Sequence, residues 1–275
     1  MTPRLRRLVR FLAHRGIPRR TRLELLLLEV QRRLRPRPVY SVRLGHGAVP
    51  LTHDDFAIDW YSLEWVLVDE AYAMDYTGAV VLDIGAHKGY FSAYAVAGGA
   101  RAVIAYEPEA QNFELLEQCA ASYGSQGTEW RLRRAAVGAE HGEAELHVSS
   151  ASWGHALHPP DSSAPYEVGV QRVPVDAMTA ALAEAEELAG ESAPLVVKVN
   201  TEGEECSIFL GTPPAAWRSV TDVFVEVHSW APCTADELAA HLASAGLTKV
   251  PSADPHVLRL HRSGDARSDP RSAPT

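Results

Sequence analysis

A carboxylate and two glycines, spaced as Asp83-x-Gly85-x-x-x-Gly89, are the residues that first suggest chemistry. They follow a short, valine-rich apolar run, Ala79–Leu82, and precede the apolar segment Tyr90–Ala97. The run predicts a buried strand, and the segment predicts a helix. Glycines between a strand and a helix let the backbone approach a ligand, and the first N–H groups of the helix are free to bind it. The stretch therefore predicts a nucleotide-binding turn.

The position of the acid distinguishes this turn from a dinucleotide site. Dinucleotide-binding turns follow the pattern G-x-G-x-x-G and hold a pyrophosphate. A carboxylate at Asp83 would repel a pyrophosphate, whereas it suits a cationic ligand such as S-adenosylmethionine. The alternative interpretation is an ordinary strand, turn and helix in the core of an α/β protein.

A second acid follows the next predicted strand. The apolar run Ala102–Tyr106 ends in Glu107 and Pro108, and Glu107 lies 24 residues beyond Asp83. At this separation, an acidic residue at a strand end hydrogen-bonds the hydroxyls of a ribose. Two acids at consecutive strand ends are more specific than the glycines alone. An adenine would lie near the end of the third predicted strand, Trp130–Val137, beside Ala136.

A third polar group follows another buried strand. The run Leu195–Val199 leads to Asn200 and Glu202, and the run 223–228 ends in His228. Ligands bind at the carboxyl edge of open α/β sheets, so these side chains are expected there. His228 is the first candidate for a general base, because a neutral imidazole suits pH 7. Glu202 is the second candidate, as a group that orients an acceptor. The alternatives are a structural histidine and a turn residue.

The region 139–172 interrupts the alternation of strands and helices. It contains an additional predicted strand, 144–148, and a polar loop, 149–161. Long loops in compact domains often carry function. Trp153, His155 and His158 are therefore candidates for substrate contact, with ordinary surface residues as the alternative.

Two segments in this order resemble a known family. The sequence has Lys-Val-Asn-Thr-Glu-Gly at 198–203 and Glu-Val-His at 226–228. They resemble the Lys-Ile-Asp-Val-Glu-Gly and Glu-Val-His segments of the FkbM family of methyltransferases. The turn at Asp83 also looks like motif I of class I methyltransferases. The resemblance runs from about Asp54 to His228. Asn200 departs from it, because an aspartate is usual there and an amide cannot take a proton as a base.

The resemblance implies an α/β, Rossmann-like class I methyltransferase fold, with a mostly parallel sheet and helices on both faces. It also implies S-adenosylmethionine as cofactor and methyl transfer to a hydroxyl of a small molecule, a sugar or a natural product. We expect Asn200 to orient the donor or acceptor. The residues expected to hold the cofactor are Asp83, Gly85, Ala86, His87, Gly89, Tyr90, Glu107, Pro108, Ala136 and Asn200. Asn200, Glu202 and His228 include one carboxylate, so no metal is expected.

The domain organisation follows from composition. Residues 1–38 form a basic N-terminal helical arm, residues 39–261 the methyltransferase domain, and residues 262–275 a tail predicted to be disordered. The arm holds twelve arginines and two glutamates, a net charge of +10, which leaves −19 for the rest of a chain whose net charge is −9. We expect the arm to pack on this acidic body. The alternative is a helix that binds a membrane surface or a partner.

Composition also narrows the partners and the compartment. An acidic body is a poor nucleic-acid binder, so no nucleic acid is expected. The run of leucines at 25–28 is too short to span a bilayer, and no signal-peptide pattern is present. Three cysteines, an odd number without a CxxC, argue against a disulfide framework and a zinc site, and favour a reducing cytoplasm. Two other functions remain possible: a non-catalytic S-adenosylmethionine-binding protein, and a nucleic-acid methyltransferase that uses the basic arm.

Overall fold

The computed structural model describes residues 3–124, 127–160 and 166–262. The arm consists of two helices, α1 (Pro3–Ala13) and α2 (Arg19–Leu34). It packs on helix α3 (Phe56–Leu67), where Phe11 lies edge-on to Trp60 with ring centroids 5.3 Å apart. Arg10 Nη1 donates to Glu64 Oε1 at 2.5 Å. The arm therefore contacts the acidic body by apolar packing and by ion pairs.

A hairpin connects the arm to α3. Its strands are β1 (Val39–Leu44) and β2 (Gly47–Thr52), paired antiparallel around a turn at Gly45. Gly45 has a φ of +62°, a backbone conformation that glycine adopts without strain.

A central sheet of seven strands has the Rossmann-like arrangement that the resemblance implies. Its strands are β3 (Val80–Ile84), β4 (Ala102–Tyr106), β5 (Glu129–Arg133), β9 (Leu195–Val199), β10 (Asp222–Glu226), β11 (Leu247–Val250) and β12 (Val257–Arg262). They lie in the order β11-β12-β10-β9-β3-β4-β5. β3, β4, β5, β9 and β10 are parallel, whereas β12 pairs antiparallel to both β10 and β11. The carboxyl ends of β3, β4, β9 and β10 therefore share one edge.

Helices cover both faces of this sheet, because successive residues of a strand point to opposite faces. Val81 and Val196 belong to one buried apolar cluster, and Leu82 and Val197 belong to the other. Such two-sided burial explains the continuous apolar runs in the sequence. The helices are α4 (Tyr90–Ala97), α5 (Ala110–Tyr123), α6 (Met178–Ala189), α7 (Glu205–Gly211) and α8 (Ala235–Ala243), with a 3₁₀ turn at Pro214–Trp217.

The prediction of a single strand over Trp130–Val137 is wrong, because two separate strands occupy this region. β5 ends at Arg133, and the following residues form β6 (Ala136–Gly138) in a separate three-stranded sheet. That sheet also contains β7 (Gly142–Ser149) and β8 (Glu167–Ala177), in the order β6-β8-β7. Ala135 and Val137 pack in an apolar cluster of the central sheet, and Ala136 packs in the inserted sheet, so all three are apolar and periodicity could not separate the two strands.

Two other predicted boundaries also differ. β10 ends at Glu226, so His228 lies in the loop beyond the strand instead of at its tip. The last strand includes Arg262, whose side chain donates to the carbonyls of Trp217, Val220 and Ala245. The rest of the predicted tail, residues 263–275, lies outside the described residues.

The odd cysteine count argued against a disulfide framework, but two of the three cysteines are paired. Cys206, at the start of α7, forms a disulfide with Cys233, in the loop that follows β10. The two residues are 27 positions apart, and the parallel pairing of β9 with β10 brings the loops after these strands together. Cys119 is a buried free thiol, and burial raises its pKa to about 12. The argument for a reducing compartment therefore loses its basis.

Within residues 3–124, 127–160 and 166–262, no helix has the length and apolar character needed to cross a bilayer.

The disulfide leads to a prediction about stability. Reduction, or the substitution Cys233→Ala, should lower the free energy of unfolding by about 2–4 kcal/mol, because the bridge restricts a loop of the unfolded chain. Urea unfolding with and without dithiothreitol measures this difference. As a control, dithiothreitol should have no effect on the Cys233→Ala variant. Three free thiols in the untreated native protein would contradict the pairing.

Candidate functional site

The glycine turn between β3 and α4 is fixed by close contact with the next strand. Gly85 has a φ of +74°, and a Cβ at this position would lie 1.8 Å from the carbonyl oxygen of Asn200. Gly89 precedes α4 with a φ of +89°. A side chain at Gly85 would force β3 and β9 apart at their carboxyl ends. The glycine is therefore required by backbone packing as well as by any ligand.

Asp83 lies behind this turn. Its side chain is fully buried, and its carboxylate accepts hydrogen bonds from Ser92 Oγ at 2.6 Å and Lys198 Nζ at 2.9 Å. Lys198 Nζ also donates to the carbonyl oxygen of Gly85 at 2.7 Å. Asp83 thus positions Lys198, and Lys198 fixes the turn through the carbonyl of Gly85. Asp83 does not line the cleft that opens beside this turn. The sequence signal for Lys198 was a single charge inside a buried apolar strand.

Glu107 organises the turn from the other side. Its Oε2 accepts from the backbone N–H of His87 at 2.8 Å, and its Oε1 accepts from that of Glu109 at 3.0 Å. The first contact holds His87 at a φ of +54°. Burial raises the pKa of Glu107 to about 7, although both N–H groups favour the carboxylate. Each oxygen retains a lone pair, so the carboxylate can still accept hydroxyl hydrogens.

One cleft opens at the carboxyl edge of β3, β4, β9 and β10. It collects most of the residues expected from the sequence: Gly85, Ala86, His87, Tyr90, Glu107, Pro108, Ala136, Trp153, His155, Asn200 and Glu202. Asp83, Gly89, His158 and His228 are not among the lining residues. Most of the residues expected from the sequence therefore lie in the cleft. The other four support its wall from behind or lie beside it.

Asn200 presents an unsatisfied acceptor. Its backbone N–H donates to the carbonyl of Ile84 at 3.0 Å, which continues the pairing of β9 with β3. Its side-chain Oδ1 is buried and has no hydrogen-bond partner among the described residues. A buried amide oxygen without a partner costs free energy. Such an atom on the wall of a cleft is ready to accept a hydrogen bond from a ligand.

The predicted substrate loop divides into two parts. Trp153 stands at the mouth, 54% exposed, with its ring centroid 6.4 Å from that of Tyr61 on α3. His155 Nδ1 accepts from the backbone N–H of Ser149, which folds the loop, and burial lowers the pKa of this histidine. His158 instead contacts Glu204 and is largely exposed.

His228 is surrounded by carboxylates. Its Nδ1 lies 2.9 Å from Glu205 Oε1, and its Nε2 lies 3.4 Å from Glu202 Oε1 and 3.9 Å from Glu226 Oε1. Burial alone would lower the pKa of His228, but the hydrogen bonds to Glu202 and Glu205 outweigh it and raise this pKa to about 10. The ring is therefore an imidazolium at pH 7. These carboxylates favour the protonated ring, whereas the sequence analysis expected a neutral imidazole, because the sequence did not show that three acids meet there.

Glu226 is the site residue that the sequence reasoning missed. It ends β10, lines the cleft, and has a pKa that burial raises to about 7, against the opposing effect of His228. The signal was present, since Glu226 begins the quoted Glu-Val-His segment at the predicted sheet edge. Asp254 also lines the cleft, and its Oδ2 accepts from Trp65 Nε1 at 2.6 Å. The part of the cleft away from the glycine turn is thus acidic and aromatic.

The chain is similar to solved methyltransferase structures at low identity. Methyltransferase FkbM from Methylobacillus flagellatus KT has 14% identity and a TM-score of 0.44 over 94% of this chain, which spans only 59% of that protein. A SAM-dependent methyltransferase from Agrobacterium tumefaciens has 10% identity and a TM-score of 0.42, covering 83% of this chain and 71% of that one. Magnesium protoporphyrin IX methyltransferase from Synechocystis PCC 6803, with bound SAM, has 11% identity and a TM-score of 0.36. The match covers 95% of this chain and 92% of that one. No curated protein matches the sequence.

The sequence profile of the methyltransferase FkbM domain matches residues 83–247, more than half of the chain. The matched range begins at the acid of the glycine turn and includes Glu107, Asn200, Glu226 and His228. S-adenosylmethionine is the methyl donor of this family. The chain belongs to the FkbM methyltransferase family.

Proposed function

We propose that this protein is an S-adenosylmethionine-dependent O-methyltransferase that acts on a hydroxyl of a small molecule, a sugar or a natural product. The observation that supports it is the presence in one cleft of two carboxyl groups with different surroundings, Glu107, which is buried, and Glu226, which is half-buried. Glu107 sits by the glycine turn, where a donor would bind, and Glu226 sits by the aromatic residues. Glu107 can accept hydrogen bonds from a ribose, and Glu226 can take the proton of an acceptor hydroxyl.

The residues by the glycine turn fit the donor. Gly85 leaves no side chain between the backbone and a ligand, and Asn200 offers its unpartnered Oδ1. Glu107 can accept the two ribose hydroxyls with its remaining lone pairs. The other residues proposed to contact the donor are Ala86, His87, Tyr90, Pro108 and Ala136. Asp83 and Gly89 act indirectly, through the turn and the start of α4.

When bound, S-adenosylmethionine would supply a methyl group carried on a sulfonium: the acceptor oxygen would bond to the methyl carbon as the carbon–sulfur bond breaks and its electron pair goes to sulfur. The protein aligns the two partners, which can supply about 7–11 kcal/mol of the barrier. Glu226 takes the proton of the acceptor hydroxyl, since its pKa of about 7 matches the operating pH. His228, as an imidazolium, holds Glu202 and moderates the charge beside Glu226.

The aromatic residues suit an acceptor of modest size. Tyr61 and Trp153 flank the mouth, and Trp65 and His155 also line the cleft. Aromatic rings of this kind pack against the faces of sugars and other ring systems. His158 remains a weaker proposal for acceptor contact, because it does not line the cleft.

The two other functions receive less support. A non-catalytic binding protein was suggested by the amide at Asn200, but Glu226 supplies a carboxyl group that can act as base. A nucleic-acid methyltransferase would have to place phosphates near Glu202, Glu226 and Asp254, and these carboxylates would repel the phosphates.

Of the described residues, no group of three or more His, Cys, Asp or Glu is arranged to hold a metal. A cytoplasmic location stays a prediction, and it has lost the support of unpaired cysteines.

The donor site can be tested at Glu107. The substitution Glu107→Ala should weaken binding of S-adenosylmethionine by roughly 1.5–3 kcal/mol, because it removes charged hydrogen bonds to the ribose. Isothermal titration calorimetry measures this change. Glu114→Ala removes an exposed glutamate from α5 and should leave the affinity unchanged. Unchanged donor affinity in the Glu107→Ala variant would refute the assignment.

The base can be tested at Glu226. The substitution Glu226→Gln keeps the shape of the side chain and should lower kcat by about 10²–10⁴, the usual effect of losing a general base. In the unaltered enzyme, kcat at saturating donor and acceptor should rise with pH as Glu226 loses its proton. The midpoint should lie below the pKa of about 7 of the donor-free protein, because a bound sulfonium favours the ionised carboxyl, and the rise should disappear in the variant. Initial rates across the pH range, with a panel of hydroxylated acceptors, provide the measurement.

Two controls separate the base from its neighbours. Glu143→Gln makes the same change on the exposed face of β7 and should have no effect on kcat. Asn200→Asp should change kcat modestly, since the amide orients and does not take the proton. A hundredfold gain in Asn200→Asp, at the low end of the range for a general base, together with normal turnover in Glu226→Gln would place the base on β9.

A further inference from the structure

Helix α2 has two apolar faces, and only one of them is used inside the protein. Thr21, Leu25 and Leu28 form the buried face, where Thr21 Oγ1 donates to the carbonyl of Arg43 in β1 at 2.9 Å. The opposite face carries five exposed apolar residues at helical spacing, which we term the outer stripe: Leu23, Leu26, Leu27, Val30 and Leu34. Their exposed fractions run from 38% to 76%. Contiguous exposed apolar surface of this kind marks an interaction site.

The surroundings of the outer stripe are strongly basic. The two acids of α2 are already occupied, since Glu24 contacts Arg20 and Arg43, and Glu29 contacts Arg32 and Arg33. Other arginine side chains of the arm form no ion pair with any described residue: Arg15, Arg19, Arg35 and Arg37. A partner for this face must therefore combine apolar surface with negative charge.

The rest of the chain does not supply that partner. Residues 1–2, 125–126, 161–165 and 263–275 lie outside the described part, and their sequence contains one large apolar residue, Met1, which is too little to cover the outer stripe. A second copy joined stripe to stripe would bring the arginines of one arm against those of the other, because such a contact is self-complementary. Like charges across an interface disfavour this pairing.

We propose that α2 binds an anionic lipid surface through the outer stripe. The helix lies in the plane of the membrane, with its leucines at the boundary of the acyl chains and its arginines on lipid phosphates. The buried face stays packed on the body, so membrane binding needs no unfolding of the arm. Packing on the body and binding to a membrane, which the sequence presented as alternatives, use opposite faces of one helix. This inference does not depend on the proposed methyl transfer.

Vesicle flotation tests the proposal with the full-length protein. Vesicles of phosphatidylcholine mixed with phosphatidylglycerol should carry the protein to the top of a density gradient, whereas phosphatidylcholine alone should carry little. The paired substitutions Leu27→Gln and Val30→Gln should lower the partition coefficient at least about tenfold by removing apolar area. Arg35→Gln with Arg37→Gln should lower it about 30-fold, at about 1 kcal/mol per arginine. Raised salt should weaken binding, because it screens the arginines.

A matched control removes exposed apolar area elsewhere. Val168 and Val170 on β8 are 67% and 48% exposed, and changing both to Gln should leave flotation unchanged. Circular dichroism of each variant establishes that it is folded. The proposal is overturned if the native protein fails to float with the mixed vesicles, or if the Leu27/Val30 variant floats as well as the native protein. It is also overturned if sedimentation shows a dimer that this variant abolishes, or if the arm binds single-stranded RNA and not vesicles.

Discussion

The buried lysine of β9 is the contact on which the site depends. Lys198 pairs with Asp83 and donates to the carbonyl of Gly85, so one ammonium group ties β9 to the turn after β3. The pair is almost completely shielded from water, and Ser92 completes the hydrogen bonds of the acid. Removing one partner of such a buried pair costs about 3–5 kcal/mol, because the other charge is left uncompensated. The turn is therefore fixed before any ligand arrives.

A second charged cluster performs the same task for the loops after β9 and β10. His228 lies between Glu202 in the loop after β9 and Glu205 at the start of α7, and the disulfide joins the start of α7 to the loop after β10. Since the pKa of His228 is about 10 in the folded protein, above the ordinary value, its contribution to stability is complete below about pH 6.5 and is lost as the pH rises through about 10. The imidazolium thus acts as a counterion at neutral pH, and the base that we propose is a neighbouring carboxyl.

The sequence predicted those features that depend on local pattern. Tyr90–Ala97 and Ala102–Tyr106 have the predicted bounds, because a continuous apolar run and flanking turn residues define a buried element. The family resemblance implied the central sheet, and the order of these runs predicted polar side chains at its carboxyl edge. The split of β5 from β6, the disulfide and the protonation of His228 depend on contacts between residues far apart in the chain. Spacing along the sequence contains no information about them.

Two carboxyl groups with raised pKa values give the cleft a preference for a cation. Burial raises the pKa of both Glu107 and Glu226 to about 7, so ionising them without a compensating charge costs free energy. A sulfonium bound in the same cleft would favour their ionised forms and lower both pKa values. By linkage, a donor that favours ionisation binds more tightly once the carboxyl groups have lost their protons. Binding of a cationic donor would then be coupled through charge to ionisation of Glu226, the base that we propose, which the imidazolium of His228 compensates only in part at 3.9 Å.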